Sequence, residues 1–188
     1  MNRNEIVPGK GDALIVVDVQ IDFCPGGALP IPDGDQVVPV LNQWIHEAAT
    51  RDVPVYASRD WHPSEHISFQ NNGGPWPPHC IQDTGGAFFH PGLDLPDSVV
   101  KVTKGVRFDQ DQNSVFDQTG LSRHLKSNGI KRVFVGGLAE DVCVLSTVLD
   151  AVNDGFQVVL ITDATRPVEP EGGRKAREEM KFSGVGFV

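Results

Sequence analysis

Short apolar runs rich in β-branched residues alternate along this chain with segments of helical periodicity. Such runs are typical of strands that are buried on both faces of a sheet. Five runs and a C-terminal edge segment predict strands at residues 13–18, 53–58, 99–102, 132–136, 157–162 and 185–188. Because parallel strands need a crossover between them, the alternation predicts an α/β fold with helices on both faces of a parallel sheet.

Four segments between these strands predict helices. The first follows Asp33 or Asp35, either of which is a candidate cap, and its apolar residues recur at helical spacing as far as Ala48. The other three cover residues 121–130, 141–154 and 171–181. A long segment before the third strand has no clear period and is rich in Pro, Gly, His and aromatic residues, which is typical of a functional insert. We therefore predict one domain over residues 1–188, with an insert at about residues 60–96.

The formal net charge of -9 at pH 7 excludes functions that need a basic surface, such as binding to nucleic acid or to anionic membranes. The longest apolar runs are shorter than a membrane span, and residues 1–9 lack the apolar stretch of a signal peptide. The three cysteines are odd in number and show no pairing pattern, which indicates a reducing compartment. We therefore predict a cytoplasmic protein without nucleic-acid or membrane partners, and the sequence leaves a homo-oligomer open.

Three reactive side chains stand where predicted strands end, at the edge of a parallel sheet where ligands bind. Asp18 closes the first strand, Lys104 follows the third, and Cys143 follows the fourth in the first turn of a predicted helix. A helix N-terminus and a lysine both favour a thiolate, and a partly buried carboxylate suits a general base. Taken singly, each residue has an ordinary explanation as a cap, a surface charge or a small core residue. Their coincidence predicts a site with a cysteine nucleophile.

The insert concentrates possible metal ligands. Asp60 and His62 are two residues apart, so both side chains point the same way in an extended segment, and His66 and His79 follow. One aspartate with two or three histidines suits zinc, iron or manganese. The alternative is that these side chains only stabilise the insert. Three protein ligands would leave coordination positions open for water or substrate, as in catalytic sites.

Two aromatic residues, Phe23 and Trp76, are candidates for the apolar walls of a pocket that holds a flat ring.

Six segments, in order and over nearly the whole chain, resemble the nicotinamidases of the isochorismatase-like cysteine hydrolase family. The first reads IVVDVQIDFCPGGAL and the last GLAEDVCV. The six segments are residues 15–29, 59–63, 74–80, 85–91, 104–105 and 137–144.

The resemblance implies both a fold and a set of catalytic residues. The fold is a three-layer, doubly wound α/β fold with a six-stranded parallel sheet. The catalytic triad would consist of Asp18, Lys104 and Cys143. A cis peptide bond between Leu138 and Ala139 would turn the Ala139 N–H toward the Cys143 N–H, so that the two form an oxyanion hole. The same turn would bring Leu138 to the substrate.

The resemblance also implies one divalent metal ion, with zinc preferred and iron or manganese as alternatives. Its ligands would be Asp60, His62 and His79, and His66 is the candidate for a further ligand. The metal would bind the nitrogen of a pyridine ring, and the two aromatic walls would enclose that ring. Isochorismatases of the same fold need no metal, so these ligands distinguish the two branches.

The implied activity is hydrolysis of nicotinamide to nicotinate and ammonia through a cysteine thioester, a step of NAD salvage. The partner is thus a small aromatic carboxamide. Three residues depart from the family's usual Asn, Thr and Tyr, and they bear on the preferred ring substituents: Ile21, Glu140 and Asn113. Two alternatives are a metal-independent isochorismatase-like hydrolase or other amidase, and a binding protein on the same scaffold without activity.

Overall fold

The computed structural model describes residues 6–188; residues 1–5, part of the stretch without signal-peptide character, lie outside the described residues. The strands are β1 Asp12–Val17, β2 Val55–Asp60, β3 Val100–Lys104, β4 Arg132–Leu138, β5 Gln157–Arg166 and β6 Gly186–Phe187. They form one six-stranded sheet in the order β3-β2-β1-β4-β5-β6. Every neighbouring pair is parallel, which confirms the predicted α/β sheet.

Helices cover both faces of this sheet. They are α1 Val37–Thr50, α2 Leu121–Ser127, α3 Leu145–Asn153 and α4 Pro170–Phe182. Because neighbours along a strand point to opposite faces, Leu14 and Val16 of β1 pack in the core with α1, whereas Ala13 and Ile15 pack in the core with α2, α3 and α4. The result is the predicted three-layer, doubly wound arrangement. Within residues 6–188, no helix combines the length and the apolar character that a membrane crossing requires.

The first helix begins later than the sequence predicts. Asp33 has a left-handed backbone with φ 54°, and a 3-10 turn, Gly34–Gln36, separates it from α1. Neither Asp33 nor Asp35 caps α1, so that part of the prediction is wrong. A left-handed residue cannot continue an α-helix, and the chain needs the extra turn before α1 can start.

The turn that carries Cys143 is π-helical, whereas an α-helix is predicted there. It spans Glu140–Val144 and leads directly into α3. The Val144 N–H donates to the Ala139 carbonyl, five residues earlier, at 3.0 Å. A single π turn is rare and is found preferentially at functional sites. The wider turn therefore sets the position of Cys143 relative to the end of β4.

The insert folds over the carboxyl ends of the central strands. Isolated bridges join Gln20 to Phe89 and His62 to Ile81, and Cys80 is buried in the core on the α1 face. Because Gln20 follows β1 and His62 follows β2, these bridges hold the insert against the edge of the sheet where ligands bind.

Candidate active site

The three reactive residues predicted at strand ends meet around the ammonium group of Lys104. Asp18 follows β1 directly, Lys104 ends β3, and Cys143 lies in the π turn after β4. The Lys104 Nζ atom lies 2.8 Å from Asp18 Oδ2, 2.6 Å from Asp60 Oδ1 and 3.6 Å from Cys143 Sγ. All four side chains are buried. Lys104 is thus the shared cation of two carboxylates and a thiol.

Asp18 is held rigidly within reach of the thiol. Its backbone has φ 48°, and its N–H donates to the Ser58 carbonyl at 3.2 Å. The Ser58 hydroxyl donates to Asp18 Oδ1 at 2.7 Å, which leaves Oδ2 facing Lys104. One carboxylate oxygen of Asp18 and Cys143 Sγ lie within 4.8 Å of each other. This geometry suits transfer of a proton from the thiol to Asp18.

The electrostatics of the triad follow from burial. Burial raises the pKa of Cys143 well above its ordinary value, although Lys104 opposes the shift. Burial also raises the pKa of Asp18, again against the effect of Lys104. Burial alone would lower the pKa of Lys104, but Asp18, Asp60 and Cys143 outweigh it and raise that pKa well above normal. Burial therefore opposes the Cys143 thiolate that Lys104 favours, and it raises the proton affinity of Asp18 beside the thiol.

The predicted metal ligands also come together. Asp60, His62 and His79 are buried, and each offers one ligand atom within 4.8 Å of the others. His62 Nδ1 donates to the Gly105 carbonyl at 2.9 Å, and His79 Nδ1 donates to the Pro77 carbonyl at 2.8 Å. A backbone carbonyl on Nδ1 is the usual support of a metal-binding histidine, because it leaves Nε2 for the ion. The donor set therefore fits a divalent metal ion.

Asp60 belongs to both groups of residues. Its Oδ1 accepts from Lys104, while its Oδ2 lies 3.6 Å from His62 Nε2. Gln20 fixes the backbone of Asp60 from both sides, with its Oε1 accepting from the Asp60 N–H at 2.7 Å and its Nε2 donating to the Asp60 carbonyl at 2.8 Å. Burial alone would raise the pKa of Asp60, but Lys104 and His62 lower it below its usual range. Asp60 is therefore ionised, and it links the triad to His62 and His79, the two other metal ligands.

His66 lies behind His62 and is not one of the three clustered ligands. The two imidazole rings are stacked with their centroids 4.1 Å apart. His66 Nδ1 contacts the Ser68 hydroxyl at 2.7 Å, and Nε2 lies 3.1 Å from the Gln110 carbonyl. Both ring nitrogens thus have protein partners, and His66 contacts the site through the ring of His62 and through Ser68, which lines the pocket.

A pocket opens over the triad and the metal ligands. Phe23, Trp76 and Ala139 line it as predicted, but Leu138 does not, because its side chain is fully buried in the core on the α1 face. The peptide bond between Leu138 and Ala139 is cis, as the resemblance implied. The remaining lining residues are Leu29, Ile31, Asp60, His62, Ser68, His79, Asp111, Asn113, Val142, Cys143 and Val168.

Several residues at the site carried no recognisable signal in the sequence. The Gln112 carbonyl accepts from Lys104 Nζ at 3.1 Å, and Gln112 Oε1 accepts from the Gly105 N–H at 3.0 Å. Asn113 differs from these residues in that the family resemblance singles it out, and its Oδ1 atom lies 3.9 Å from Cys143 Sγ. These contacts, like those of Gln20 and Ser58, depend on tertiary structure. The only available signal was that polar residues stand close in sequence to Asp18, Asp60 and Lys104.

Comparisons with known proteins agree with this geometry. The chain matches the isochorismatase domain over residues 12–187. A nicotinamidase from Acinetobacter baylyi is 38% identical over 196 aligned residues, which cover 92% of this chain and 90% of that protein. A nicotinamidase/pyrazinamidase from Mycobacterium tuberculosis is 35% identical, and the alignment covers 94% of this chain and 97% of the relative.

A solved structure extends the similarity to three dimensions. The pyrazinamidase of Pyrococcus horikoshii, crystallised in complex with zinc, superposes with a TM-score of 0.92 at 46% identity and covers 95% of this chain and 98% of its own. The expected relationship to nicotinamidases and pyrazinamidases is thus confirmed. From the matched domain, the sequence identity and the shared fold, we conclude that the chain belongs to the isochorismatase family.

Proposed function

We propose that this protein is an amidohydrolase that converts nicotinamide to nicotinate and ammonia, as a step of NAD salvage. The observation that carries the proposal is that Asp60 joins a buried Cys143–Asp18–Lys104 group to a metal-ligand set within one pocket. A carboxamide carbon at the thiol and a ring nitrogen at the metal ligands would satisfy both groups at once. The names of the A. baylyi and M. tuberculosis relatives support this reading.

The pocket walls would hold the aromatic ring of the substrate. Phe23 is almost fully buried and packs on His79 with the ring centroids 5.4 Å apart, while Trp76 is half-buried and also lines the pocket. A divalent ion held by Asp60, His62 and His79 would supply a Lewis-acid contact for the ring nitrogen. We propose zinc for this ion, because the P. horikoshii relative was crystallised with it.

The first half of the reaction forms a thioester. Asp18 takes the proton of the Cys143 thiol. The raised pKa of Asp18 and the positive charge of Lys104 favour that transfer, whereas burial of the thiol opposes it. The sulfur bonds to the carboxamide carbon, and the carbonyl oxygen becomes an oxyanion. The N–H groups of Ala139 and Cys143 stabilise this oxyanion. Asp18 then gives its proton to the nitrogen as the C–N bond breaks, ammonia leaves, and Lys104 stays positively charged throughout.

The second half hydrolyses the thioester. Asp18 accepts a proton from a water molecule as the water oxygen bonds to the carbonyl carbon. When the second tetrahedral intermediate collapses, the C–S bond breaks and Asp18 returns the proton to Cys143 Sγ. The product is a carboxylic acid that ionises at neutral pH. The free thiol and the ionised Asp18 are thereby restored for the next turnover.

The proposal is tested by measuring ammonia release from nicotinamide with purified protein, before and after chelation and after zinc, iron or manganese is restored. Cys143→Ala should abolish turnover and keep the metal content, because the thiol is not in the three-ligand set. Cys24→Ala is the matched control, since Cys24 is a buried cysteine that does not line the pocket. Appreciable turnover by Cys143→Ala would refute the thioester route and favour a metal-bound hydroxide.

A metal-independent hydrolase of the same family is the main alternative. The three buried donors and the carbonyl supports of both histidines argue against it, because the carbonyls occupy Nδ1 and leave Nε2 of both rings for an ion. Full activity of the chelated protein on another amide would favour the alternative.

A further inference from the structure

An ion pair between a buried carboxylate and a partly exposed arginine anchors the turn between the two proposed oxyanion donors. Glu140 directly follows Ala139 and stands three residues before Cys143, and its side chain is completely buried. Arg177 of α4 binds the Glu140 carboxylate with two hydrogen bonds, from Nε to Oε1 at 2.7 Å and from Nη2 to Oε2 at 2.9 Å. The Thr165 hydroxyl of β5 donates to the same Oε2. Every oxygen of this carboxylate is therefore satisfied.

The next residue ties the same turn to the start of α4. Asp141 Oδ1 accepts from the Val168 N–H at 2.8 Å, just before α4 begins. At Gly173 of α4, a Cβ atom would lie 3.2 Å from Glu140 Oε1 and 2.8 Å from Pro167. A Cβ atom at Gly172 would overlap Asp141 Oδ2. The two glycines thus allow α4 to approach the turn closely enough for both acidic side chains to be bound.

Stability alone gives a poor account of this arrangement. The Glu140 carboxylate loses all of its hydration on burial, and this cost offsets most of the attraction to the partly exposed Arg177, so the pair contributes little net stability. A bidentate arginine–carboxylate pair does, however, fix the orientation of the carboxylate and of the backbone that carries it. Here that orientation is imposed on the peptide units between Ala139 and Cys143, whose N–H groups have to point at one oxygen atom.

We propose that the Glu140–Arg177 pair is a positioning device that holds the Ala139 and Cys143 N–H groups in the geometry required by the tetrahedral intermediate. The inference rests on the proposed cysteine hydrolase function and concerns the orientation of its two oxyanion donors. Neither residue lines the pocket, so substrate binding does not depend on them. Loss of the pair should lower kcat by about tenfold and change KM by less than about twofold, because small displacements of catalytic donors weaken the transition state selectively.

The test uses Arg177→Met in the full-length, metal-loaded protein, with Arg174→Met as the matched control. Arg174 lies on the same helix and also binds a carboxylate with two hydrogen bonds, but its side chain and those of Glu171 and Glu178 are exposed. Arg177→Lys keeps the charge without the two-pronged geometry, and serves if the methionine variant does not fold. The amount of active enzyme is normalised by titrating Cys143 with an alkylating reagent.

Two ligands separate positioning from general damage. Pyridine-3-carbaldehyde adds reversibly to the thiol and forms a tetrahedral oxygen that needs both N–H groups, whereas nicotinate does not form this adduct. We expect Arg177→Met to weaken aldehyde binding in proportion to its loss of kcat/KM and to leave nicotinate binding unchanged; Arg174→Met should change neither. Equal losses for both ligands, or an Arg177 variant indistinguishable from the Arg174 variant, would overturn the inference. If the unmodified protein releases no ammonia from nicotinamide and binds no aldehyde, the proposed function fails instead.

Discussion

Gly105 offers a direct test of how the metal ligands are held in place. It has a left-handed backbone with φ 65°, and its carbonyl accepts from His62 Nδ1. A Cβ atom at this position would lie 2.6 Å from His62 Nδ1. Since non-bonded heavy atoms pack at about 3.5 Å, the His62 ring would have to move by about 1 Å in Gly105→Ala. A loss of 10- to 100-fold in metal affinity is expected, the usual effect of disturbing a group that supports a ligand.

Gly120 provides the matched control for the backbone contribution. It too is left-handed, with φ 78°, but nothing lies within 4 Å of a Cβ built on it. The left-handed backbone should cost each alanine variant roughly 1–2 kcal/mol of folding free energy in the metal-free state, measured by urea unfolding, because L-residues disfavour this conformation. The contact with the His62 ring adds to that cost in the Gly105 variant alone. In competition with a zinc chelator, the Gly105 variant should lose zinc first. Equal zinc affinities in the two variants would refute the view that Gly105 sets the position of the His62 ring.

Two further substitutions probe the triad and the pocket wall. Lys104→Met should abolish ammonia release and lower the free energy of unfolding by about 3–5 kcal/mol, because two buried carboxylates lose their shared cation. As a control, Arg107→Met removes an exposed ion pair and should leave the urea midpoint unchanged. An unchanged midpoint for Lys104→Met would contradict this account. Asn113→Ala should leave the free energy of unfolding unchanged but raise kcat/KM for ring-substituted carboxamides relative to nicotinamide, because a half-buried side chain of the pocket wall is shortened. If the ratio of the two kcat/KM values is the same in the variant and the unmodified protein, Asn113 has no part in substrate selection.

The parts of the fold that the sequence predicts are those set by local patterns. The apolar runs locate the strands because the central strands are buried on both faces, as in β1, where every residue is buried. The end of β5 is missed because the strand continues past its apolar run to Arg166, where only pairing with β4 maintains it. The π turn is missed because its hydrogen bond spans only one residue more than that of an α-helix, which a turn of five residues does not reveal in its apolar pattern.

The candidate site shows the same division. Asp18, Lys104 and Cys143 can be predicted because strand ends converge at one edge of a parallel sheet. Ser58, which orients Asp18, cannot be predicted, since the two residues are 40 positions apart and only strand pairing joins them. The contact of Arg177 with the buried Glu140 cannot be predicted either, because a glutamate and an arginine far apart in sequence are normally expected in solvent. The sequence places Leu138 beside the substrate because it precedes the predicted donor Ala139. Its side chain instead packs in the core on the α1 face, since a neighbour of a predicted donor is not necessarily directed toward the same space.

The position of β1 in the sheet has a consequence for how the protein is made. Its partner β2 follows it closely, but its other partner β4 comes much later, and Arg132 donates to Asp12 across 120 residues. Contacts of that separation form late in folding, because a long loop has to be closed first. The metal ligands come from one stretch of chain and can meet early. Cys143 meets Asp18 only when β4 docks on β1, so under the proposed function a growing or partly folded chain lacks the assembled triad until the two strands pair.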